Sequence, residues 1–443
     1  MAEGSVFWRD LTNPPLKVER AEGVYLYDSE GKRYLDAASG AAVCSLGHGN
    51  GEIAEVLKEQ AEELNYAHMS GFFSEPLADW TEKLVTVSPA DLTKVHPVSG
   101  GSEANETAIK LARKFHIDRG DQRKYKIISR STSYHGATLG ALSLSGKTSR
   151  QEPYAPMMSS NPKISPAYCY RCPYGERPET CSLECAEDLK RAILQEGEET
   201  VAGFIAEPVS GSSAPGVHPP DRYWKRIRKI CNRYDLLLIV DEVMSGMGRT
   251  GRWWAIQHSG ITPDIISASK GLGAGYTPLG GVIIHDDIYR TVKNGDGSMH
   301  HGFTYGGNPV SAAAGSRVID IMRRNNLVQK AKNTGEKLLA RLKDAFADHP
   351  NVGEIRGRGL LIGLEFVRDK EAREPFDRAE NLPGRLRRAC LDRGVHIYPG
   401  GSPANGRRTT QIMIAPPFIM EKEHVDEIIE ALAGSIAEVI DRK

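Results

Sequence analysis

The spacing of apolar positions changes along the chain, and each change marks an element. Between Val24 and Leu35 apolar and polar residues alternate around Ser29-Glu30-Gly31-Lys32, which predicts a β-hairpin. From Ile53 the period becomes helical, with Val56, Leu57, Ala61 and Leu64 on the same face. The middle of the chain alternates short apolar runs with helix-length stretches. The runs are Lys94–Val98, Lys126–Ser129, Val201–Ile205, Leu236–Val240, Ile265–Ala268 and Gly281–Ile284. Bounded by turn residues and separated by helices, they predict a mainly parallel sheet covered on both faces. After Asn308 one long helical stretch is predicted to Asp348, then strands at Gly359–Phe366 and Val395–Tyr398 and a closing helix at Glu421–Val439. The expected architecture is α/β, with a large central domain over 66–325 and a smaller α+β domain built from both chain ends, 1–65 and 326–443.

Composition narrows the function classes. The 443 residues are 40% hydrophobic and 26% charged, which is globular rather than disordered and long enough to bury a core without disulfide staples. Lys+Arg and Asp+Glu both number 57, so no positive field recommends nucleic acid or an anionic membrane as partner. No apolar run approaches the roughly 18 residues of a membrane span. The opening stretch from Met1 to Asp10 lacks a basic segment followed by an apolar one, so no export signal is expected. Seven cysteines, an odd number, fit reduced thiols in a cytoplasmic enzyme better than a disulfide framework.

In open parallel sheets, functional groups gather just past the carboxyl ends of strands. Lys94–Val98 leads into Ser99-Gly100-Gly101-Ser102 and then a helix, an arrangement whose backbone N–H groups form an anion cradle. It is neither a P-loop nor a dinucleotide fingerprint. Leu236–Val240 ends in Asp241-Glu242, and a carboxylate at the end of a buried strand needs a partner: a helix cap, a cation or a protonated ring nitrogen. Ile265–Ala268 leads to Ser269 and Lys270. A lysine at a buried strand end is unusual unless paired or functional; paired, it is structural, and functional, its desolvated amine is a nucleophile for a Schiff base. Lys126–Ser129 leads to Tyr134, an aromatic suited to stacking on a flat ring, with His135 beside it. A phosphate cradle, an acid for a pyridinium nitrogen, a strand-end lysine and a stacking aromatic together meet the needs of pyridoxal 5'-phosphate.

With these residues in view, the chain resembles the class III (omega-type) aminotransferases, fold-type I pyridoxal-phosphate enzymes. The likeness rests on Gly100-Gly101-Ser102-Glu103-Ala104-Asn105-Glu106, Ala206-Glu207-Pro208, Asp241-Glu242-Val243 with Gly246, Gly248-Arg249-Thr250-Gly251, Ser269-Lys270-Gly271, and Gly302-Phe303-Thr304-Tyr305-Gly306-Gly307-Asn308-Pro309. The resemblance implies Lys270 as the Schiff-base lysine and Asp241 as partner of the pyridine nitrogen. It places Val243 and Tyr134 on the two ring faces, Gly101 and Ser102 at the phosphate, and Glu207 beside the cofactor. His135 is a candidate cofactor neighbour. Thr304 is expected to reach the phosphate bound by a second subunit, making a homodimer part of the site. The implied reaction is ping-pong transfer of an amino group from an amine or ω-amino acid to a keto acid, pyruvate first. Same-fold alternatives are an aminomutase or a dialkylglycine-type decarboxylase, and a different class is a catalytically dead binding protein.

A keto-acid carboxylate calls for an arginine. Arg408 stands where the family's mobile arginine is expected, before Ala415-Pro416-Pro417, with Arg407 as second choice. Ala42 falls where many amine:pyruvate members carry Trp, which implies a roomier pocket. Phe72, with Phe73 and Trp80, is a candidate lining residue or a packing residue. His300 and His301 receive no catalytic role. One feature stays outside this scheme: Cys169-x2-Cys172, an eight-residue spacer, then Cys181-x3-Cys185. Four thiols so close suit zinc, an iron–sulfur centre, labile disulfides or free thiols, and the catalytic scheme requires no metal.

Overall fold

The computed structural model describes residues 5–404 and 406–441. Met1 to Gly4, on which part of the export reading rests, Asn405, and the last two residues of the C-terminal segment lie outside the described residues. The central layer is a seven-stranded sheet of β1 (Leu92–Val98), β2 (Lys126–Arg130), β3 (Lys163–Ile164), β4 (Val201–Ala206), β5 (Leu237–Asp241), β6 (Ile265–Ala268) and β7 (Gly280–His285). Their spatial order is β1-β7-β6-β5-β4-β2-β3. Neighbours from β6 to β3 pair parallel, whereas β7 runs antiparallel to both β6 and β1. The β6–β7 link, Ser269 to Leu279, is too short for a crossover helix, so the chain returns antiparallel.

Every residue of β4, β5 and β6 is buried, as unbroken apolar strands require when helices cover both faces. On one face, helix α1 (Gly101–Asp118) packs Ala104, Ala108, Leu111 and Ala112 into a core with Ile127, Ile205, Ile239 and Ile265. Helix α2 (Glu184–Glu196) precedes β4 and buries Ala186, Leu189 and Ile193. Register aligns Ala206 with Val240 and Asp241 with Ser267, so the carboxyl ends of β4, β5 and β6 stand side by side.

Two smaller sheets flank this layer. Val18–Glu22, Tyr25–Asp28 and Arg33–Asp36 form an antiparallel meander, and Val395–His396, from the other end of the chain, adds to it in parallel. Val352–Arg358, Leu361–Phe366, Gln411–Ile414 and Tyr398–Gly400 form an antiparallel sheet. Asp36 ties the first of these together from within: it is buried, with Oδ2 3.3 Å from His48 Nε2 and Oδ1 3.1 Å from His396 Nδ1.

All six expected runs are strands of the central sheet. Three other expectations need correction. The long helix after Asn308 is two, Pro309–Arg324 and Leu327–Phe346, because Asn326 takes a left-handed conformation (φ 48°) that asparagine tolerates. The strand expected from Gly359 begins at Leu361. Gly359 (φ 53°) turns a hairpin whose first strand, Val352–Arg358, carries too many Gly, Glu and Arg to show alternation. The strand expected over Val395–Tyr398 is two short ones, Val395–His396 and Tyr398–Gly400, which pair in different sheets. Among the described residues no helix is long and apolar enough to cross a membrane.

Candidate active site

The aligned ends of β4, β5 and β6 open on a pocket of about 170 Å³ into which Glu207, Asp241 and Lys270 project from consecutive strands. Asp241 closes β5 and is buried. Its Oδ1 accepts the Val243 N–H at 3.0 Å, and its Oδ2 accepts Asn105 Nδ2 at 2.9 Å. His135 Nδ1 stands 2.8 Å from the same Oδ2; a carboxylate only accepts, so this nitrogen carries the proton. Asn105 also donates to the His135 carbonyl at 2.6 Å, locking helix α1 to the loop after β2.

Lys270 follows Ser269 in a left-handed conformation (φ 46°), costly for a residue with a Cβ and typical of functional turns. Burial brings its ammonium down to about 8, against the opposing pull of Asp241 and Glu207. Glu207 follows β4. Its Oε1 accepts the Gly211 N–H at 3.0 Å, its Oε2 faces the Tyr134 N–H at 3.4 Å, and burial pushes its carboxyl pKa up.

Gly100 caps α1 without a side-chain oxygen, leaving the first-turn N–H groups open at the pocket edge. Ser102 Oγ accepts the Ala137 N–H at 3.0 Å. A Cβ on Gly101 would lie 2.6 Å from Val243 Cγ1, so only glycine lets the helix start approach the turn after β5. Tyr134 lines the pocket, and the Arg150 guanidinium lies 4.7 Å from its ring centroid. An open helix start, a buried carboxylate with converging donors, an amine of lowered pKa and a buried His135 Nε2 without a partner make a donor set that fits pyridoxal phosphate.

Gly101, Ser102, Tyr134, His135, Glu207, Asp241, Val243 and Lys270 thus share one pocket. Other expected residues stand apart from it. Ala42 is buried in a small apolar cluster with Val209 and Met413, of which only Val209 lines the pocket. Phe72 and Phe73 are each 74% exposed, and Trp80 is wholly buried in the core. Thr304 lies on an exposed loop, where its carbonyl accepts the Tyr66 hydroxyl at 2.8 Å. Arg407 and Arg408 are exposed and do not line the pocket. His300 is exposed, whereas His301 Nε2 faces Thr107 Oγ1 at 2.8 Å on the side of α1. Sequence reasoning missed Asn105 and Arg150. Asn105 carried a signal, since an amide in the first turns of a helix that packs on a sheet must find a buried partner; Arg150 carried none.

The family model for class III aminotransferases matches residues 7–436. The putrescine–pyruvate aminotransferase of Pseudomonas aeruginosa is 36% identical, covering 93% of this chain and 88% of its own. The diaminobutyrate–2-oxoglutarate transaminase of Halomonas elongata is 35% identical, covering 97% and 91%. Among solved structures, an amine transaminase from an uncultivated Pseudomonas species, in its PLP-bound form, superposes with a TM-score of 0.93 at 31% identity over 99% of both chains.

Proposed function

The chain belongs to the class III aminotransferases, pyridoxal-phosphate enzymes of fold type I, and on that premise we propose that it carries an amino group from a primary amine or ω-amino acid to a keto acid, pyruvate first, in two half-reactions through one pocket. The observation that carries this reading is the trio Glu207, Asp241 and Lys270, delivered by three adjacent strand ends to one cavity. When bound, pyridoxal phosphate supplies the aldehyde that takes up the amino group and a ring that draws electrons from the substrate carbon.

The protein's own groups do the rest. Lys270 Nζ anchors the cofactor and then holds and returns the proton that leaves and rejoins the substrate carbon, work suited to an amine whose pKa is near 8. Asp241 partners the ring nitrogen, oriented by Asn105, His135 and the Val243 N–H. Tyr134 and Val243 would hold the ring between them, and the open start of α1 at Gly101 and Ser102 would take the phosphate. Arg150, in contact with the pocket wall at Tyr134 and with no carboxylate partner among the described residues, joins Arg408 as a receiver for the acceptor's carboxylate. The proposal includes a homodimer: Tyr305, beside Thr304 and packed against Tyr66, is 65% exposed, and Phe72 and Phe73 are exposed as well, apolar groups suited to contact with a second copy.

Pyruvate as acceptor draws support from the putrescine–pyruvate relative, and the diaminobutyrate–2-oxoglutarate relative marks the competing acceptor. The test is a pair of half-reactions on purified holoenzyme. An amine panel, diamines included, is expected to bleach the cofactor's visible band, and pyruvate to restore it faster than 2-oxoglutarate does. Faster recovery with 2-oxoglutarate overturns the acceptor choice, and turnover without any keto acid overturns transamination in favour of an aminomutase.

A further inference from the structure

The cysteines that the catalytic scheme leaves unused form a constellation of their own. Cys169 opens a tight turn that closes when the Cys172 N–H donates to the Cys169 carbonyl at 3.2 Å. The Gly175 N–H donates to the Cys172 carbonyl at 3.3 Å, with Gly175 in the left-handed region (φ 68°). Cys185 lies in the first turn of α2, and Leu183, also left-handed (φ 66°), bends the chain between it and Cys181. These local bends bring all four residues to the wall of one cavity of about 20 Å³, which shares no lining residue with the pocket at the ends of β4 to β6.

None of the four sulfurs is in a disulfide, and all four residues are half-buried. The four thiols border one space, with Pro173, Pro178 and Leu183 also in its wall. The Arg222 guanidinium donates to Cys181 Sγ at 3.2 Å, a cation beside a site that becomes anionic on losing its protons. The cavity has room for an ion, and four thiolate donors without histidine suit a tetrahedral zinc.

We propose that Cys169, Cys172, Cys181 and Cys185 bind one structural Zn²⁺ per chain, tying the loop after β3 to the start of α2. No three of these sulfurs lie within 4.8 Å of one another, whereas a tetrahedral ion with Zn–S bonds of roughly 2.3 Å holds them roughly 3.8 Å apart. The set therefore contracts on binding. Four Zn–S bonds form and four thiol protons pass to solvent, with no change of oxidation state, so affinity rises with pH.

The full-length holoenzyme, purified without chelator, is analysed for metal by mass spectrometry and for alkylation of its thiols under native conditions. About one zinc per chain is expected, with the four cysteines shielded from iodoacetamide until a mercurial reagent releases the ion. Cys172→Ser and Cys185→Ser are expected to lower zinc at least about tenfold. After mercurial release and thiol reduction, cobalt(II) is expected to give the visible bands of a tetrahedral thiolate site. Wild-type protein without zinc, iron in its place, or an intact mass showing disulfides within the set overturns the proposal, and these readouts hold even if the serine variants fail to fold.

Discussion

His135 Nδ1 stands 2.8 Å from Asp241 Oδ2, with both side chains buried, and the other nitrogen of that ring has no partner. The imidazole is thus placed to act on Asp241, the acid proposed for the cofactor's ring nitrogen, rather than as a base of its own. Replacing it with leucine leaves Oδ2 with Asn105 alone, the loss of a hydrogen bond to a charged group worth about 1.5–3 kcal/mol. His135→Leu is expected to lower kcat about ten- to a hundredfold with little change in KM. Steady-state kinetics check this; an unchanged kcat would mean that Asn105 and the Val243 N–H suffice to orient Asp241.

Gly101 and Val243 meet across the same site. A methyl group on Gly101 would lie 2.6 Å from Val243 Cγ1, and the Val243 N–H holds Asp241 Oδ1. Gly101→Ala is expected to destabilise the protein by about 1–3 kcal/mol through overpacking and to speed cofactor loss on dialysis. Val243→Ala, which opens the space, is expected to restore much of both in the double variant. Additive losses would mean that the alanine harms the open helix start itself.

The sheet was legible because β4, β5 and β6 are short unbroken apolar runs bounded by turn residues, the pattern of a sheet covered on both faces. Asp241 and Lys270 were legible for the same reason, since a charge at the end of such a run stands out. Arg150 was not: its place over Tyr134 depends on the path of residues 136–149, which no period records. Nor was the exposure of Phe72, since an aromatic in a loop reads alike whether it faces a pocket, a core or a second subunit.

Lys270 links burial to pH. Its ammonium is brought down to about 8 from 10.5 by desolvation, so in cofactor-free protein the neutral amine predominates above about pH 8. Labelling of Lys270 by an amine-directed reagent, followed by peptide mass spectrometry, is expected to rise with pH and level off above that point. Exposed lysines keep rising toward their ordinary range. Parallel profiles would show that Lys270 is not desolvated. Folding stability moves with the same proton: between pH 8 and 10.5 the unfolded chain binds more protons than the folded one, so this contribution to stability improves as pH rises.

Two arginines are candidates for the acceptor's carboxylate. Neither lines the pocket itself: Arg150 stacks on Tyr134, a residue of its wall, whereas Arg408 is exposed. Arg150→Leu is expected to raise KM for the keto acid about tenfold while sparing the half-reaction with a simple apolar amine, as loss of one charge-assisted contact implies. If Arg408→Leu does this and Arg150→Leu does not, the exposed arginine swings inward on binding and Arg150 only braces Tyr134.

Asp36 carries an acid-dependent part of the stability, remote from the chemistry. Burial alone raises its pKa, yet the hydrogen bonds from His396 and His48 outweigh burial and hold its carboxyl well below the ordinary 3.8. Below that value the unfolded chain takes up a proton that the folded protein resists. The contribution is therefore complete above about pH 4 and is lost as pH falls. Asp36→Asn removes the carboxylate that these hydrogen bonds hold and is expected to cost about 1.5–3 kcal/mol at pH 7, the range for losing a hydrogen bond to a charged group. Thermal scans of both proteins from pH 7 down to pH 3 should show the gap in Tm narrowing at the acid end. A gap that stays constant across that range would assign the loss to packing of the meander against Val395–His396 rather than to the charge.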